Sequence, residues 1–553
     1  MSRSPHTRSE WAGACLALLL VWLVAYPLLL VAAEGLRGDA GPTLEWVRRF
    51  FGRRNEWGAL WGSLWISTAS VVLSALIGVP LAFLFTRVEF PGRRLLAELV
   101  ALPVVLPPLV GVIAFLFLWG ETGFMAHLVQ WVTGTTDPPW RLQGAGGILL
   151  VHAYSMYVYF YLFTRAALRN IDGAAYEAAQ SLGAGRWRTF RRVVFPLLTP
   201  ALAGAAVLVF LTSLASFSAP YIFGGGFRVM ATQIVSTRLN GDSELAMVET
   251  IALALVALLA LVAARRLDRA QVTGGSKGAP PAPRPPLSPR VRLATAIGAW
   301  VIALVLLLPH ATLVLVSFVP VGTWTTEAVP PAYTLGNYVT LLSDPVRSRP
   351  LATSLWMAAA ATVAAVGIGL VAGALVVRRR VRASSLLEWL LSLPWAVPGT
   401  VFAIALATAF SVHAPWFGRV ILVGTPVILP LAYLVRDIPI AGRALLAGYR
   451  ALDPGYEEAA SVLGAGRLRT LGRVLLPLLR PSLVAAGTLA FVTAFGDFVT
   501  SILLYTYDTR PISLEILGSL RQGDVGVAAA YGVVLMLVSA VVFLLAVERE
   551  EFR

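Results

Sequence analysis

The chain has 553 residues, of which 58% are hydrophobic and 13% are charged, and its net charge is +15. A soluble domain carries about 25% charged residues, so the composition excludes an ordinary soluble protein and predicts a lipid environment. The positive charge comes almost entirely from arginine, because Lys277 is the only lysine. These arginines lie in short clusters between apolar runs, which favours loops near anionic lipid over a nucleic-acid surface.

Apolar runs recur at the length of a membrane span, for which about 20 residues are needed. The first run follows Arg3 and Arg8 and is too long for a signal-peptide core, so we expect an uncleaved helix with a cytoplasmic N-terminus. The sequence predicts an all-α, polytopic membrane protein. In chain order, its twelve transmembrane helices are expected at 11–33, 60–86, 96–119, 144–168, 201–222, 245–264, 293–317, 351–376, 386–411, 418–437, 482–505 and 526–547.

A change of composition divides the chain into two halves. Residues 265–292 are rich in proline and arginine and poor in apolar side chains, which predicts a semi-rigid extended linker. The expected organisation is a six-helix half at 1–264, this linker, and a second six-helix half at 293–553.

Arginine clusters predict the orientation of the chain. They occur around 87–94, 169–192, 378–382 and 443–473, and positive loops favour the cytoplasmic side. The loop at 34–56 also holds five arginines, but four consistent loops outweigh it. We expect both termini and the linker on the cytoplasmic side of a bacterial inner membrane.

The two halves are an internal repeat. DGAAYEAAQSLGAGRWRTFRRVVFPLLTP at 172–200 aligns without a gap with DPGYEEAASVLGAGRLRTLGRVLLPLLRP at 453–481, at an offset of 281 residues. SLW at 63–65 and LPVVLPP at 102–108 match SLW at 354–356 and LPWAVPG at 393–399, at an offset of 291. Because each half has an even number of helices, both long loops are expected on the same side of the membrane.

Each long loop combines a short helix of small residues with glycines that permit a sharp reversal. Arginines follow, and then a proline at the start of the next span. One such loop could be a polar connector that happens to be helical. Two copies on the same side of the membrane favour a surface that binds a partner.

This pattern resembles the EAA loop of ABC importer permeases. The residues that carry the resemblance are Glu177, Ala178, Ala179 and Gly183 in the first loop and Glu458, Ala459, Ala460 and Gly464 in the second, ahead of Pro196 and Pro477. Phe195 departs slightly from the pattern, where the second copy has Leu476. The resemblance implies a type I importer permease with two fused halves, working by alternating access. Each loop would dock in an ATP-binding-cassette subunit, two copies in all, and a periplasmic or lipoprotein binding protein would deliver the substrate.

Several kinds of chemistry are not expected in this chain. A P-loop needs a lysine followed by serine or threonine, whereas Lys277 is followed by Gly278. Cys15 is the only cysteine, and no catalytic or metal-ligating cluster is recognisable. We therefore expect a transport subunit rather than an enzyme, with no metal and no cofactor of its own, and with ATP and magnesium bound by the partner subunits.

Two aligned polar residues are candidates for the translocation pathway. Asp497 lies deep in the eleventh predicted helix, and its counterpart at offset 281 is Ser216. A charge within an apolar run is costly and suggests function. The alternative is an aspartate that pairs with a neighbouring helix. Matched prolines near 103–108 and 394–398 predict bends at a gate, or simple packing kinks.

The substrate is suggested only by overall similarity. The segments at 217–235 and 503–517 make the chain most similar to the ferric-iron permease group, so ferric iron is the first expectation. Thiamine, a phosphorylated sugar, a phosphonate or a polyamine are alternatives. A proton- or ion-coupled secondary transporter is a rival function, but it needs membrane-embedded coupling carboxylates, for which Asp497 alone is thin support. A non-transporting scaffold is a second rival, and it leaves the duplicated loop unexplained.

Overall fold

The computed structural model describes residues 5–38, 41–171, 173–269, 288–324, 329–379, 381–411 and 421–551. Within these ranges the regular structure is helical, apart from one antiparallel hairpin that pairs Arg37–Gly38 with Gly41–Pro42. The predicted all-α class is confirmed. The predictions that concern Arg3, Asp172, Arg380, residues 412–420 and linker residues 270–287, with Lys277, fall outside the described residues.

Within the described residues, fourteen helices precede the linker. They are α1 Pro5–Leu20, α2 Tyr26–Glu34, α3 Glu45–Gly52, α4 Arg54–Arg87, α5 Arg93–Leu99, α6 Pro108–Trp119, α7 Phe124–Thr133, α8 Gly144–Asn170, α9 Gly173–Ser181, α10 Arg186–Thr189, α11 Phe195–Leu214, α12 Ser218–Phe223, α13 Met230–Leu239 and α14 Ser243–Arg269. Short π-helical segments at Val21–Ala25 and Phe190–Val194 join α1 to α2 and α10 to α11.

In the described part of the chain beyond the linker, there are thirteen helices. They are α15 Pro289–Val316, α16 Gly336–Ser343, α17 Pro345–Gly373, α18 Ser384–Ala396, α19 Gly399–Ala409, α20 Ile428–Ala451, α21 Gly455–Val462, α22 Arg467–Thr470, α23 Leu476–Leu478, α24 Arg480–Phe495, α25 Ser501–Leu504, α26 Ile512–Arg521 and α27 Val525–Glu551. Helix α14 continues through residues 265–269, which the sequence analysis placed in the linker, because arginine and leucine favour helix.

Nine described helices are long and apolar enough to cross a membrane, and the number rises to eleven if each of two bent pairs is one span. None of these candidate spans corresponds to the helix predicted at 418–437. Its place is taken by α20, which begins later, at Ile428, and carries Arg436, Asp437, Arg443 and Arg450 along its length. Four charges within one helix lower its hydropathy below that of its neighbours.

Prolines break two of the predicted spans, as the matched motifs suggest. The span predicted at 96–119 consists of α5, a 3₁₀ turn at Leu102–Val105, and α6. The span predicted at 386–411 divides into α18 and α19, with Pro398 at the N-cap of α19. Proline lacks the amide hydrogen that a continuous helix needs at these positions.

The chain forms two compact units that exchange their first helices. Unit one comprises Met1–Gly52, Ile234–Ala254 and Leu335–Arg553, and unit two comprises Arg53–Gln233 and Leu255–Thr334. In unit one, Leu20 and Leu23 of the N-terminal span pack with Leu387 and Val435. In unit two, α15 packs through Ala299 and Ala303 against the core of α5 and α8. Each half of the sequence therefore contributes its first span to the unit built mainly from the other half.

A repeated stripe of small residues joins the central helices of each unit. On α4 the buried stripe is Ser63, Ser67, Ser70, Ser74 and Gly78, and on α17 it is Ser354, Ala358, Ala361, Ala365 and Gly369, at an offset of 291 residues. The stripe of α4 faces α8, and that of α17 faces α20. Small side chains let membrane helices approach closely, so the repeat recognised in the sequence is also a repeat of packing.

Candidate functional site

The first candidate site is the loop between α8 and α11. Helix α9 ends in a reversal at Gly183, whose φ is 74°. The Gly183 amide donates to the carbonyl of Gln180 at 2.9 Å, and the Ala184 amide donates to that of Ala179 at 3.0 Å. This is the Schellman arrangement, and the left-handed backbone at its centre favours glycine.

The loop between α20 and α24 has the same geometry. Gly464 has a φ of 77°. Its amide donates to the Ser461 carbonyl at 3.0 Å, and the Ala465 amide donates to the Ala460 carbonyl at 2.9 Å. In both loops an extended glycine, Gly185 or Gly466, then starts the next helix. The two copies are the same in backbone as well as in sequence.

In each loop, some of the residues predicted to dock an ATPase subunit are exposed. Glu177, Ala178 and Gly183 are exposed and Ala179 is half-buried; Glu458, Ala459 and Gly464 are exposed as well. Ala460 differs, because its side chain is 7% exposed and packs inside the chain. The second alanine of the motif thus contacts this chain, while the glutamate and the first alanine face outward.

Large apolar side chains extend the exposed face of each loop. Leu182 and Trp187 of the first loop are 87% and 72% exposed, and the aligned Leu463 and Leu468 of the second are 86% and 87% exposed. Leucine and tryptophan at such exposure mark a contact surface when they lie together. The sequence analysis did not single out these four residues, although their repetition at one offset was visible.

An arginine at the end of the α17 span holds the second loop. The Arg378 Nε atom lies 2.7 Å from a carboxylate oxygen of Glu457 on α21. Its Nη2 atom donates to the Leu452 carbonyl at 2.9 Å. Since only 11% of the Arg378 side chain is exposed, this buried pair couples the membrane span to α21. The aligned residue in the first half is Arg87, which is the sequence signal that could have identified it.

Asp497 lies in the break between α24 and α25, where it is 5% exposed. One carboxylate oxygen accepts the amide hydrogens of Thr500 and Ser501, at 3.0 and 3.2 Å. The other oxygen pairs with Arg436 of α20. The structure therefore places Asp497 in a pair with a neighbouring helix and at the start of α25, and its pathway role stays a prediction.

Ser216 occupies the equivalent break in unit two, between α11 and α12. Its hydroxyl lies 2.9 Å from Nε2 of His152, whose Nδ1 lies 2.9 Å from the Ser70 hydroxyl and 3.1 Å from that of Ser213. Ser70 donates its own hydrogen to the Ile66 carbonyl. This arrangement fits a neutral imidazole that donates from Nδ1 and accepts at Nε2. Ser216 and Asp497 thus hold aligned positions with different chemistry.

Three other carboxylates on membrane helices have separate surroundings. Glu388 pairs with Arg450 at 2.7 Å, with both side chains exposed. Glu249 is fully buried and accepts a hydrogen bond from Thr237 at 2.8 Å. Asp437 is also fully buried, and neither of its carboxylate oxygens has a hydrogen-bond partner among the described residues. Asp437 is not among the predicted sites, because the predicted span ended there.

Comparison with known families matches both halves of the chain. The profile described as "Binding-protein-dependent transport system inner membrane component" matches residues 74–272 and again residues 365–547. Each match contains one of the two loops.

Curated relatives match over nearly the whole chain. A probable ABC transporter permease protein of Sinorhizobium fredii is 28% identical, over 88% of this chain and 87% of the relative. A ferric transport system permease protein of Actinobacillus pleuropneumoniae is 29% identical, over 96% of this chain and 77% of the relative. A thiamine transport system permease protein of Escherichia coli is 29% identical, over 89% and 90%.

A solved structure also matches part of the chain. It is a bacterial alginate ABC transporter in complex with an alginate pentasaccharide-bound periplasmic protein, at 23% identity and a TM-score of 0.35. The match covers 42% of this chain and 85% of the matched chain.

Proposed function

Because this chain belongs to the family of binding-protein-dependent transport system inner membrane components, we propose that its two EAA loops dock two ATP-binding-cassette subunits that drive import of a cationic solute. The chain is a multi-pass membrane permease of an ABC importer. Family membership decides between the transporter classes weighed from the sequence, in favour of the ATP-driven importer over the secondary transporter.

The observation that carries the docking proposal is the duplication of one exposed loop geometry. Glu177 and Glu458 both lie on short helices that end in the same glycine reversal. Two docking elements with the same backbone geometry suit two copies of one partner. The exposed Leu182 and Leu463 supply apolar contact area beside the glutamates, which is the usual composition of a protein interface core with a polar rim.

The mechanism follows from how the second loop is attached. Arg378 links α21 to the membrane span that contains α17, so movement of a docked subunit acts on that span directly. We propose that closure of the two ATPase subunits pushes on both loops and that the two halves reorient in alternating access. ATP and magnesium belong to the partner subunits, and the permease neither makes nor breaks a bond in the solute.

Ferric iron is the first substrate proposed, with thiamine second. Relatives that match most of this chain bear those two names, at 29% identity in each case. Both solutes are cations, so the shared chemistry is positive charge. Phosphorylated sugars and phosphonates are anions and fit the named relatives less well.

The docking proposal is tested by purifying the tagged chain from its native membrane in mild detergent and identifying the co-purifying proteins by mass spectrometry. We expect an ATP-binding-cassette subunit at two copies per permease. Glu458→Lys should lower its recovery several-fold, because the charge on the docking face is inverted. Glu388→Gln is the matched control, since this exposed carboxylate lies outside both loops. Equal recovery of the ATPase with Glu458→Lys and with the control would contradict docking at this loop.

The substrate proposal needs a second assay. The permease, its ATPase and its binding protein are reconstituted in proteoliposomes, and uptake of ferric iron and of thiamine is measured with ATP present. ATP-dependent uptake of iron alone supports the first proposal, and uptake of thiamine alone replaces it. Uptake that stops when a proton gradient collapses at constant ATP would contradict ATP-driven import.

A further inference from the structure

A charged cavity of about 510 Å³ lies within unit one, where α17 begins and the segment before α26 passes it. Three arginine side chains take part in its wall, each with an acidic partner. Arg349 pairs with Asp508 at 2.8 Å and Arg510 with Glu515 at 3.0 Å, while Arg347 reaches Asp524 at 3.0 Å. The volume falls in the range of about 300–1,000 Å³ that is typical of binding pockets.

The inner wall of the cavity is held rigidly. The Tyr531 hydroxyl donates to the Arg347 carbonyl at 2.6 Å, and Asp524 is only 7% exposed. Arg510 lies across α26 at Gly518, where an added Cβ atom would collide with its guanidinium. A side chain at Gly518 would therefore displace Arg510 from the cavity.

The rim, in contrast, is open. Tyr507 is 83% exposed, and the side chains of Arg349 and Asp508 are 54% and 72% exposed. A tyrosine protruding beside arginine is the composition found at the energetic centres of protein interfaces. Because each arginine already has a carboxylate partner, the cavity offers no free guanidinium group to a small anion.

The cavity lies at the opposite end of unit one from its EAA loop. Arg347 stands at the start of α17, and Arg378, which holds α21, stands at the far end of the same span. The helical rise of about 1.5 Å per residue places them roughly 45 Å apart, more than the roughly 30 Å hydrocarbon core of a bilayer. With the EAA loop in the cytoplasm, the cavity faces the other compartment.

We propose that this cavity is the docking pocket for the substrate-binding protein and that it fixes the orientation of that protein on the permease. The inference rests on the proposed function. It adds an asymmetry: at an offset of 291 residues the positions of Arg347 and Arg349 hold Glu56 and Gly58, whereas Arg510 has a counterpart, Arg228, at an offset of 282. Two equivalent cytoplasmic loops suit two copies of an ATPase, whereas one charged outer pocket suits a single asymmetric partner.

The test is site-specific photocrosslinking in the native host membrane, with the full chain and its ATPase present. A p-benzoylphenylalanine replaces Tyr507, and a second variant carries it at Gly226, in the segment of unit two that precedes α13, where an added Cβ atom meets nothing within 4 Å. We expect an adduct at Tyr507 that mass spectrometry identifies as an extracytoplasmic solute-binding protein, at a yield several-fold above that from Gly226. Equal yields from both positions, or a Tyr507 adduct with only lipid or another copy of this chain, would overturn the proposal.

Exchanging the two charges of the rim ion pair tests the proposal independently. Arg349→Glu combined with Asp508→Arg keeps an ion pair at the rim but inverts its direction, so we expect the adduct yield at Tyr507 to fall several-fold. An unchanged yield would overturn the assignment of the pocket. ATPase co-purification from the same membranes separates the two proposals. If the ATPase is retained and no adduct forms at Tyr507, the pocket assignment fails alone; if the ATPase is absent, the proposed function fails with it.

Discussion

Arg436 on α20 forms an ion pair with Asp497, which lies in the break between α24 and α25. The same guanidinium packs against Gly399 at the start of α19, with its central carbon 3.2 Å from the position of an added Cβ atom. The Arg436–Asp497 pair therefore connects α20 with two interrupted spans of unit one, the one that contains α19 and the one that contains α24. An interrupted membrane helix leaves backbone groups to be satisfied by its neighbours, and Asp497 does so for the amides of Thr500 and Ser501.

Asp497→Asn should lower the thermal stability of the purified permease and alter transport, with the ATPase still bound. Asparagine keeps an oxygen for Thr500 and Ser501 but leaves the Arg436 charge unpaired. Since 29% of the Arg436 side chain is exposed, the loss should stay below the roughly 3–5 kcal/mol typical of a broken, fully buried pair. Thermal unfolding in detergent measures the loss, and the double variant with Arg436→Met should recover part of it. Normal stability and uptake in Asp497→Asn would contradict both the stabilising role of the ion pair and the role of Asp497 in transport.

Gly464→Ala should weaken ATPase docking, whereas Gly466→Ala should not. Gly464 has a φ of 77°, and alanine in this left-handed region costs roughly 1–2 kcal/mol. Gly466 lies two residues away with a φ of −68°, which alanine adopts freely. ATPase recovery on purification is compared for the two variants. Equal recovery would show that the reversal after α21 is not needed for docking.

Arg378→Ala should also reduce docking, although Arg378 does not lie on the exposed face of the loop. Its removal frees Glu457 and the Leu452 carbonyl, so α21 loses its attachment to the α17 span. Arg378→Lys should give an intermediate result, because lysine keeps the charge but not the two-point geometry. ATP hydrolysis stimulated by the binding protein, measured in proteoliposomes, should fall more than ATPase recovery if Arg378 transmits movement. If stimulated ATP hydrolysis and ATPase recovery fall by the same factor, Arg378 attaches α21 to the membrane span but does not transmit movement.

Gly369→Leu should destabilise unit one, whereas Gly367→Leu on the same helix should be tolerated. A Cβ atom at Gly369 would lie 3.0 Å from the Ala441 carbonyl and 2.8 Å from Leu445, but at Gly367 it would meet nothing within 4 Å. Overpacking of a close helix contact costs roughly 1–3 kcal/mol. The midpoint of thermal unfolding compares the two variants. Equal midpoints would contradict the close packing of α17 on α20.

The family and the helical class were predictable from the sequence, and both are confirmed. The predicted count of twelve spans exceeds the nine to eleven found among the described helices. The difference arises at α20, where Arg436, Asp437 and Arg443 lie within one helix. A hydropathy pattern counts such charges against a span, whereas packing of α20 against α17 and α24 buries much of its surface.

The sequence by itself determined the repeat, the two long loops between the spans and their glycine reversals. Those features are local, because a loop conformation follows from residues that are near one another in the chain. Only the tertiary structure decided that each half lends its first span to the other unit, that Asp497 pairs with Arg436, and that Arg347, Arg349 and Arg510 share one cavity. These contacts join residues far apart in sequence, and a local pattern cannot specify which distant partner satisfies a buried charge.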